Sequence, residues 1–295
     1  MKYRVIVGFV AALAMLALTT PALAAPADAG GDAPRTSTPA AAAHKSARTQ
    51  ARNGAKEANK ATANSTPTGA VPMVATTSGS ETSLATTAYG NKAVVSLTFD
   101  DQRVSQRNVI NLLDLRGFKG TFYVISQFIN NAGDHPESLN MTELKSLQSA
   151  GHEIGGHSKT HADLPTLSAA AQQIEICGGK QDLVNDGFTG VTSFAYPYGD
   201  YDGTTEGIVK TCFANGRTVS DGPDSIPPYD KYATAAIGSV DKTTTVAQLE
   251  AAVRSAESDP TQKWVQLVWH DIVTSTGQAE DDYYQYLSDF NIFLT

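Results

Sequence analysis

The chain of 295 residues is long enough for one large domain, but its composition is too uneven for the whole length to fold. From Tyr89 onward, 14 Lys or Arg residues stand against 26 Asp or Glu residues, a formal charge of −12. A domain of this charge repels nucleic acid and other polyanions, so we expect no nucleic-acid partner. A neutral or amino-bearing glycan meets no such barrier.

Residues 1–25 have the pattern of a secretory signal peptide. Lys2 and Arg4 precede the apolar run Val5–Leu18, and the segment ends in the small-residue pattern Ala22–Ala24. The apolar run is about 14 residues long, whereas a membrane-spanning helix needs about 20. We therefore predict a cleaved signal rather than a membrane anchor, no stable membrane insertion after cleavage, and a secreted, cell-wall or periplasmic protein.

The rest of the chain divides into a linker and a folded domain. Residues 26–88 are dominated by Ala, Thr, Ser, Pro and Gly, which predicts a disordered linker, and residues 89–295 form the domain. Cys177 and Cys212 both lie in the domain. In an exported protein such a pair is more often a disulfide than a metal site, with two buried free thiols as the alternative.

Strand-like and helix-like segments alternate along the domain. This alternation predicts βα units around a largely parallel sheet, in a barrel or a doubly wound arrangement. The predicted strands are Ala93–Phe99, Thr121–Ile125, Val191–Ala195, Lys263–Trp269 and Asn291–Leu294. Helices are predicted from Ser105 to near Gly117, from Asn140 to near Gly151, from Ser168 through Val184, and near Glu206–Ala214, Val246–Glu257 and Glu280–Leu287.

Polar clusters follow several of these segments, and the carboxyl ends of parallel strands face a common crevice. The first cluster is Asp100 and Asp101, two adjacent acids that end an apolar strand. Because successive strand side chains point opposite ways, one carboxylate can bind a metal while the other accepts a proton. A plain loop or helix-capping pair of acids is the alternative.

The second cluster is His157 and His161, two imidazoles four residues apart. On one helical turn this spacing aims both at one point, and two histidines with a carboxylate form a usual catalytic metal site; two chance surface histidines are the alternative. His152-Glu153 does not complete the metallopeptidase pattern His-Glu-x-x-His, since the next histidine comes one position too late. The chain also lacks the Gly-x-Ser-x-Gly elbow of serine esterases.

Two further motifs follow predicted strands. In the stretch 194–199, Pro197 and Gly199 predict a rigid turn that can aim a backbone N–H into the crevice, as an oxyanion donor requires. A purely structural aromatic turn is the alternative. His270 ends the apolar run that begins at Val265. It can protonate a leaving amine or alkoxide, or it is a hydrogen-bonded core histidine.

Taken in order, Thr98–Asp101 (TFDD), His157–His161 (HSKTH), Phe194–Gly199 (FAYPYG) and Leu267–Asp271 (LVWHD) resemble the successive motifs of the polysaccharide deacetylase (NodB-homology) family. The resemblance spans about Lys92 to the C-terminus. It implies an α/β fold, a distorted (β/α) barrel with seven strands rather than eight, for residues 89–295.

The resemblance also implies roles for individual residues. Asp101, His157 and His161 would bind one divalent ion, zinc or else cobalt, nickel or manganese, and Asp100 would be the catalytic base. His270 would be the catalytic acid. The remaining residues would contact the substrate. The backbone N–H of Tyr198, next to Pro197, would donate to the oxyanion. Val268 and Trp269 would line the pocket for the acetyl methyl group.

One position departs from the family pattern. Many members carry an arginine, paired with the base, where this chain has Ala195. Without a nearby cation the pKa of Asp100 should rise, although a bound metal offsets this. Arg217 is the candidate substitute from another strand, and Asp221 or Asp241 is a candidate to orient His270.

The predicted function is hydrolysis of acetyl groups from an N-acetylglucosamine-containing polysaccharide such as chitin, peptidoglycan or an exopolysaccharide, with release of acetate. An O-acetyl xylan esterase would use the same residues. A non-catalytic glycan-binding module is a third possibility, motivated by Ala195, although binding alone requires neither Asp100 nor His270. We expect a monomer whose partner is the acetylated polysaccharide.

Overall fold

The computed structural model describes residues 93–129, 131, 133–220, 222–279 and 281–295. The predicted signal peptide and linker therefore lie outside the described residues, as does Asp221. In the described part of the chain, no helix is both long enough and apolar enough to cross a bilayer.

Strands and helices alternate along the domain. The strands are β1 (Val94–Phe99), β2 (Thr121–Val124), β3 (Glu153–Gly156), β4 (Ser193–Ala195), β5 (Asn215–Arg217), β6 (Asp224–Ser225), β7 (Lys263–Trp269), β8 (Asp271–Val273) and β9 (Tyr284–Tyr286). The α-helices are α1 (Arg107–Leu115), α2 (Met141–Ser149), α3 (Ala169–Gln173), α4 (Gly179–Asn185), α5 (Gly203–Cys212), α6 (Val246–Ser258) and α7 (Leu287–Phe293). A π-helical turn, Ile174–Gly178, joins α3 to α4.

Seven of the strands form one sheet in the order β5-β4-β3-β2-β1-β7-β6. The pairs from β5 to β7 are parallel, and only the short β6 is antiparallel to its neighbour. The segment 234–240 then links edge strand β5 to β7, next to the other edge, because Thr234 bridges Arg217 on β5 and Ile237 bridges Leu267 on β7, both in parallel. The sheet thus curls into the distorted seven-stranded (β/α) barrel that the resemblance predicted.

Aromatic side chains pack between the barrel and its helices. Phe99 stacks on Phe122 at 4.8 Å and on Trp269 at 5.8 Å between ring centroids. Trp269 in turn meets Phe290 of α7 edge-on at 5.2 Å. Because a strand alternates its side chains, this outer packing leaves the neighbours of Phe99 and Trp269 to point into the barrel.

Local sequence patterns place the starts of three helices, α2, α3 and α6, correctly. The capping box of α2 is present: the Asn140 side chain accepts from the Glu143 N–H, and the Glu143 carboxylate accepts from the Asn140 N–H. Ser168 caps α3 as predicted, through the N–H of Ala171. Ser105 does not cap α1; its hydroxyl instead donates to the Asp271 carboxylate at 2.5 Å.

The C-terminal predictions are wrong. The predicted strand Asn291–Leu294 lies in helix α7 and the turn that ends it, and the predicted helix Glu280–Leu287 contains strand β9, which pairs in parallel with β8. Pairing with β8 decided the extended conformation of Tyr284–Tyr286, which the periodicity of that segment does not determine. By contrast, the disulfide prediction is confirmed: Cys177 and Cys212 are bonded, so the free-thiol alternative is wrong.

Candidate metal centre and active site

The predicted polar clusters converge at the carboxyl end of the barrel. Asp100 and Asp101 follow β1, His157 follows β3, and His270 follows β7. The N–H of Asp100 donates to the carbonyl of Trp269 at 2.8 Å, which extends the β1–β7 pairing to the point where both motifs leave the sheet. Parallel pairing therefore brings together side chains that are up to 170 residues apart in the chain.

Asp101, His157 and His161 form a cluster whose ligand atoms all lie within 4.8 Å of one another. Oδ1 of Asp101 is 3.3 Å from Nε2 of His157 and 3.3 Å from Nε2 of His161. Ligands about 2.0 Å from one tetrahedral ion would be roughly 3.3 Å apart. Within the described residues, the buried Oδ1 atom accepts no hydrogen bond. The donor set and its spacing thus fit a divalent ion.

The second nitrogen of His157 fixes the orientation of that ring. Nδ1 lies 2.8 Å from the carbonyl of Ala195, so the N–H is on Nδ1 and donates to the carbonyl, leaving the Nε2 lone pair toward Asp101. A backbone or carboxylate acceptor behind a histidine is the usual outer support of a metal ligand. Ala195, notable in the sequence for its side chain, therefore serves the site through its backbone.

The spacing of the two histidines suggested one turn of a helix, but neither histidine lies on a helix. They lie at the ends of an irregular loop, residues 157–161, which we call the histidine loop. Ser158 and His161 have left-handed φ values of 63° and 62°, and Asp101 across from them has φ 67°. These turns, rather than helical periodicity, aim both imidazoles at Asp101.

The charges of the cluster are strongly coupled. Burial is the largest influence on Asp101 and would raise its pKa, but His161, His157, His270 and Arg103 hold that pKa well below its ordinary value. For His157, burial is the largest influence and would lower the pKa, yet the adjacent Asp101 and Asp100 carboxylates raise it. Burial lowers the pKa of His161 to about 3, so this imidazole is neutral at pH 7 with a lone pair available.

Arg217 takes the place of the arginine that the sequence appeared to lack. Its Nη2 is 2.6 Å from both carboxylate oxygens of Asp100, and both side chains are buried. The guanidinium also lies over the ring of Tyr123, 4.9 Å from the centroid. Arg217 on β5 is the register partner of Ala195 on β4, so the cation reaches Asp100 from the adjacent strand.

His270 lies beside Asp101 on a buried part of the wall. Its Nε2 is 3.9 Å from Oδ2 of Asp101, and burial is the main reason that the pKa of His270 is lowered. Gln106 joins the two strand ends, because its Nε2 donates to the carbonyls of Asp100 and His270. Asp241 does not orient His270: its carboxylate accepts hydrogen bonds from its own turn, at Thr243 and Thr244.

The predicted substrate-contact residues are only partly brought together. Tyr198 is in the left-handed region with φ 61°, and its ring is 4.6 Å from that of His161, while Pro197 is buried in the same turn. Val268 points to the barrel interior on the same strand face as His270. Trp269 is not in the pocket; it is buried in the outer aromatic packing, where its Nε1 donates to Gln285 at 2.9 Å.

Three residues near the site went unpredicted. Arg103 donates to Oδ2 of Asp101 at 3.1 Å, Gln106 joins the β1 and β7 ends, and Glu175 accepts hydrogen bonds from the histidine loop. Arg103 is two residues after Asp101 along the chain, so its proximity was a usable signal. Nothing local marks Glu175, because its contact depends on how two distant segments pack.

Comparison with known proteins finds a family match over part of this chain. Residues 87–213 match the family model described as polysaccharide deacetylase. A probable peptidoglycan-N-acetylglucosamine deacetylase of the fungus Arthroderma benhamiae is 32% identical over 80 residues, which is 27% of this chain and 17% of the relative's length. The chain thus spans less than a fifth of this curated relative.

A solved structure shares the fold. The Streptococcus pyogenes deacetylase PplD, in complex with acetate, is 24% identical over 58% of this chain and 75% of its own, with a TM-score of 0.52. A polysaccharide deacetylase from Bacillus cereus is 22% identical over 54% of this chain and 50% of its own, with a TM-score of 0.47.

Proposed function

We propose that this chain, whose residues 87–213 match the polysaccharide deacetylase family model, is a divalent-metal-dependent hydrolase that removes acetyl groups from an N-acetylglucosamine-containing polysaccharide. The observation that carries the proposal is the convergence of Asp101, His157 and His161 beside the buried Asp100–Arg217 pair and His270. A pure binding module requires neither the paired carboxylate nor the buried histidine.

Asp101, His157 and His161 would hold the ion, with zinc as the first candidate and cobalt, nickel or manganese as others. When bound, such an ion supplies a Lewis acid that polarises the acetyl carbonyl and activates a water for attack. Asp100 would take the proton of the attacking water. Arg217 balances the charge of Asp100 and fixes its orientation by contacting both oxygens.

The remaining steps would use Tyr198, beside His161, and His270, beside Asp101. The Tyr198 N–H would donate to the oxyanion. His270 would give a proton to the departing sugar nitrogen or oxygen, which releases acetate and the deacetylated sugar. Because burial lowers the pKa of His270, this step predicts an activity that declines on the alkaline side of the pH profile.

Export is part of the same proposal. The signal-like residues 1–25 motivate it, and the Cys177–Cys212 disulfide supports an oxidising compartment such as the cell exterior or the periplasm. The charge of −12 over residues 89–295 also fits a neutral or amino-bearing polymer better than a polyanion.

The test is acetate release from chitin oligomers, peptidoglycan and acetylated xylan, before and after chelation and after return of each metal. We expect chelation to abolish release, zinc or a related ion to restore it, and Asp100→Asn to lower the rate by about 10²- to 10⁴-fold. Glu257→Gln, on the exposed face of α6, is the matched control and should leave the rate unchanged. Release that persists without metal would contradict the proposal, and release from xylan alone would make the protein an O-acetyl esterase.

A further inference from the structure

We propose that Glu175 is a positioning residue that holds the histidine loop in its metal-binding conformation. The inference rests on the metal site of the proposed function, but it concerns a residue outside the ligands and the acid–base groups. Glu175 lies in the π-helical turn between α3 and α4, and its side chain reaches back to the loop that carries both histidines.

The histidine loop is strained and requires support. Ser158 and His161 both adopt left-handed backbone conformations, with φ 63° and 62°, although neither is a glycine. Such backbone conformations are strained in residues other than glycine and persist only where surrounding contacts impose them. Lys159 and Thr160 lie between the two strained residues, so contacts to their backbone govern the whole turn.

Glu175 provides those contacts. One carboxylate oxygen accepts from the N–H of Lys159 at 3.1 Å and from the N–H of Thr160 at 2.8 Å. The other oxygen accepts from the Thr160 hydroxyl at 2.8 Å. A single buried carboxylate therefore satisfies both amide groups at the centre of the loop, as an anion in a backbone nest does.

The helix that carries Glu175 is pressed closely against the loop. A Cβ added to Gly179 would lie 2.9 Å from both the backbone N of Lys159 and the backbone C of Ser158. Behind Glu175, the disulfide from Cys177 ties the π-helical turn to the end of α5. π-helical turns occur frequently at functional sites, and here the turn places a carboxylate under the histidine loop.

The competing explanation is that Glu175 only stabilises the fold, since a buried carboxylate with three donors supports any loop. The two explanations differ in what the folded protein does with a metal. A purely structural role lowers the unfolding temperature without changing the affinity of the protein that remains folded. A positioning role weakens metal binding in protein that is fully folded.

The experiment compares Glu175→Ala, Glu175→Gln and the control Glu257→Ala. Cobalt(II) is titrated into each metal-free protein and its visible absorption is followed, zinc affinity is measured against a competing chelator, and unfolding temperatures are recorded without metal. We expect Glu175→Ala to weaken metal binding by about 10- to 100-fold and to alter the cobalt spectrum. Glu175→Gln should retain most of the affinity, because its amide oxygen can still accept from both N–H groups. The control Glu257→Ala should bind metal like the wild type.

The outcomes distinguish a failure of the positioning role of Glu175 from a failure of the proposed function. Unchanged affinity and spectrum in folded Glu175→Ala would overturn the positioning role, whatever happens to its unfolding temperature. A wild-type protein that binds neither cobalt nor zinc would overturn the proposed function itself. Should Glu175→Ala fail to fold, the same titration is made on Glu175→Asp, whose shorter side chain draws the carboxylate away from the N–H groups of Lys159 and Thr160. Weaker metal binding by that variant supports the role, and an unchanged affinity and spectrum contradict it.

Discussion

The base region, Asp100 with Arg217, and the histidine loop lie side by side, yet they are built differently. Asp100 extends the β1–β7 pairing and receives its cation from β5, so strand register completes the region without any ligand. The histidine loop is irregular, has left-handed residues, and faces an Asp101 oxygen that accepts no hydrogen bond within the described residues. The sheet thus completes the base region by itself, whereas the histidine loop relies on contacts from other segments and, under the proposed function, on an ion.

The sharpest test of this difference exchanges the two adjacent acids for amides. Asp101→Asn removes the carboxylate between the histidines, so we expect loss of metal binding and an activity loss of about 10³-fold or more. Asp100→Asn should lose activity while it keeps the metal affinity of the wild type, because Asp100 is paired with Arg217 instead. Metal titration alongside acetate release makes the measurement; equal metal affinities in both variants would remove the distinction between the regions.

Removing the cation tests the base region alone. Arg217→Met leaves the buried Asp100 carboxylate without its partner, which should lower the free energy of unfolding by about 3–5 kcal/mol in urea. Arg254→Met breaks the exposed pair with Glu250 and should cost less than about 1 kcal/mol. Adding Ala195→Arg to Arg217→Ala should recover part of the loss, because positions 195 and 217 are register partners. Equal effects of the two methionine variants would contradict a buried, tightly coupled pair.

Two glycines on helices test the support of the histidine loop. Gly179→Ala would drive a methyl group against the loop backbone, whereas a Cβ at Gly207 of α5 meets nothing within 4 Å. Gly207→Ala should stabilise the protein by about 0.5–1 kcal/mol, and Gly179→Ala should instead destabilise it by about 1–3 kcal/mol and weaken metal binding. Urea unfolding and cobalt titration check both; a stabilised Gly179→Ala with normal affinity would mean that the close approach has no role.

The pH dependence of the metal-free protein gives the smallest expected effect. Burial lowers the pKa of His161 to about 3 from an ordinary value near 6.5, so the unfolded chain binds the proton first and stability falls as the pH drops below 6.5. The raised pKa of His157 acts in the opposite direction, adding stability below 6.5 that is lost as the pH rises through its folded pKa. When the pH falls from 7 to 5, the free energy of unfolding should therefore drop less in His161→Asn than in the wild type. The difference should be on the order of 1 kcal/mol, measured by urea unfolding. Parallel pH curves for the two proteins would show that His161 is not buried as described.

Much of the architecture could be predicted from the sequence because the signals are local. Strand Lys263–Trp269 and the start of helix Val246–Ser258 match the predicted positions, and the Asn140–Glu143 capping box is formed. Hydrophobic periodicity and capping act within a few residues, so they are visible in the chain itself. The same holds for the ordered motifs that indicated the family and its candidate ligands.

Only the tertiary structure decided how those residues work together. It brought Arg217 to Asp100, set the left-handed turns that aim His157 and His161, and placed Glu175 beneath them. It also turned Trp269 away from the site and paired Tyr284–Tyr286 with β8. Each outcome depends on strand register or on the close approach of segments far apart in the chain. A local stretch of sequence predicts neither of these.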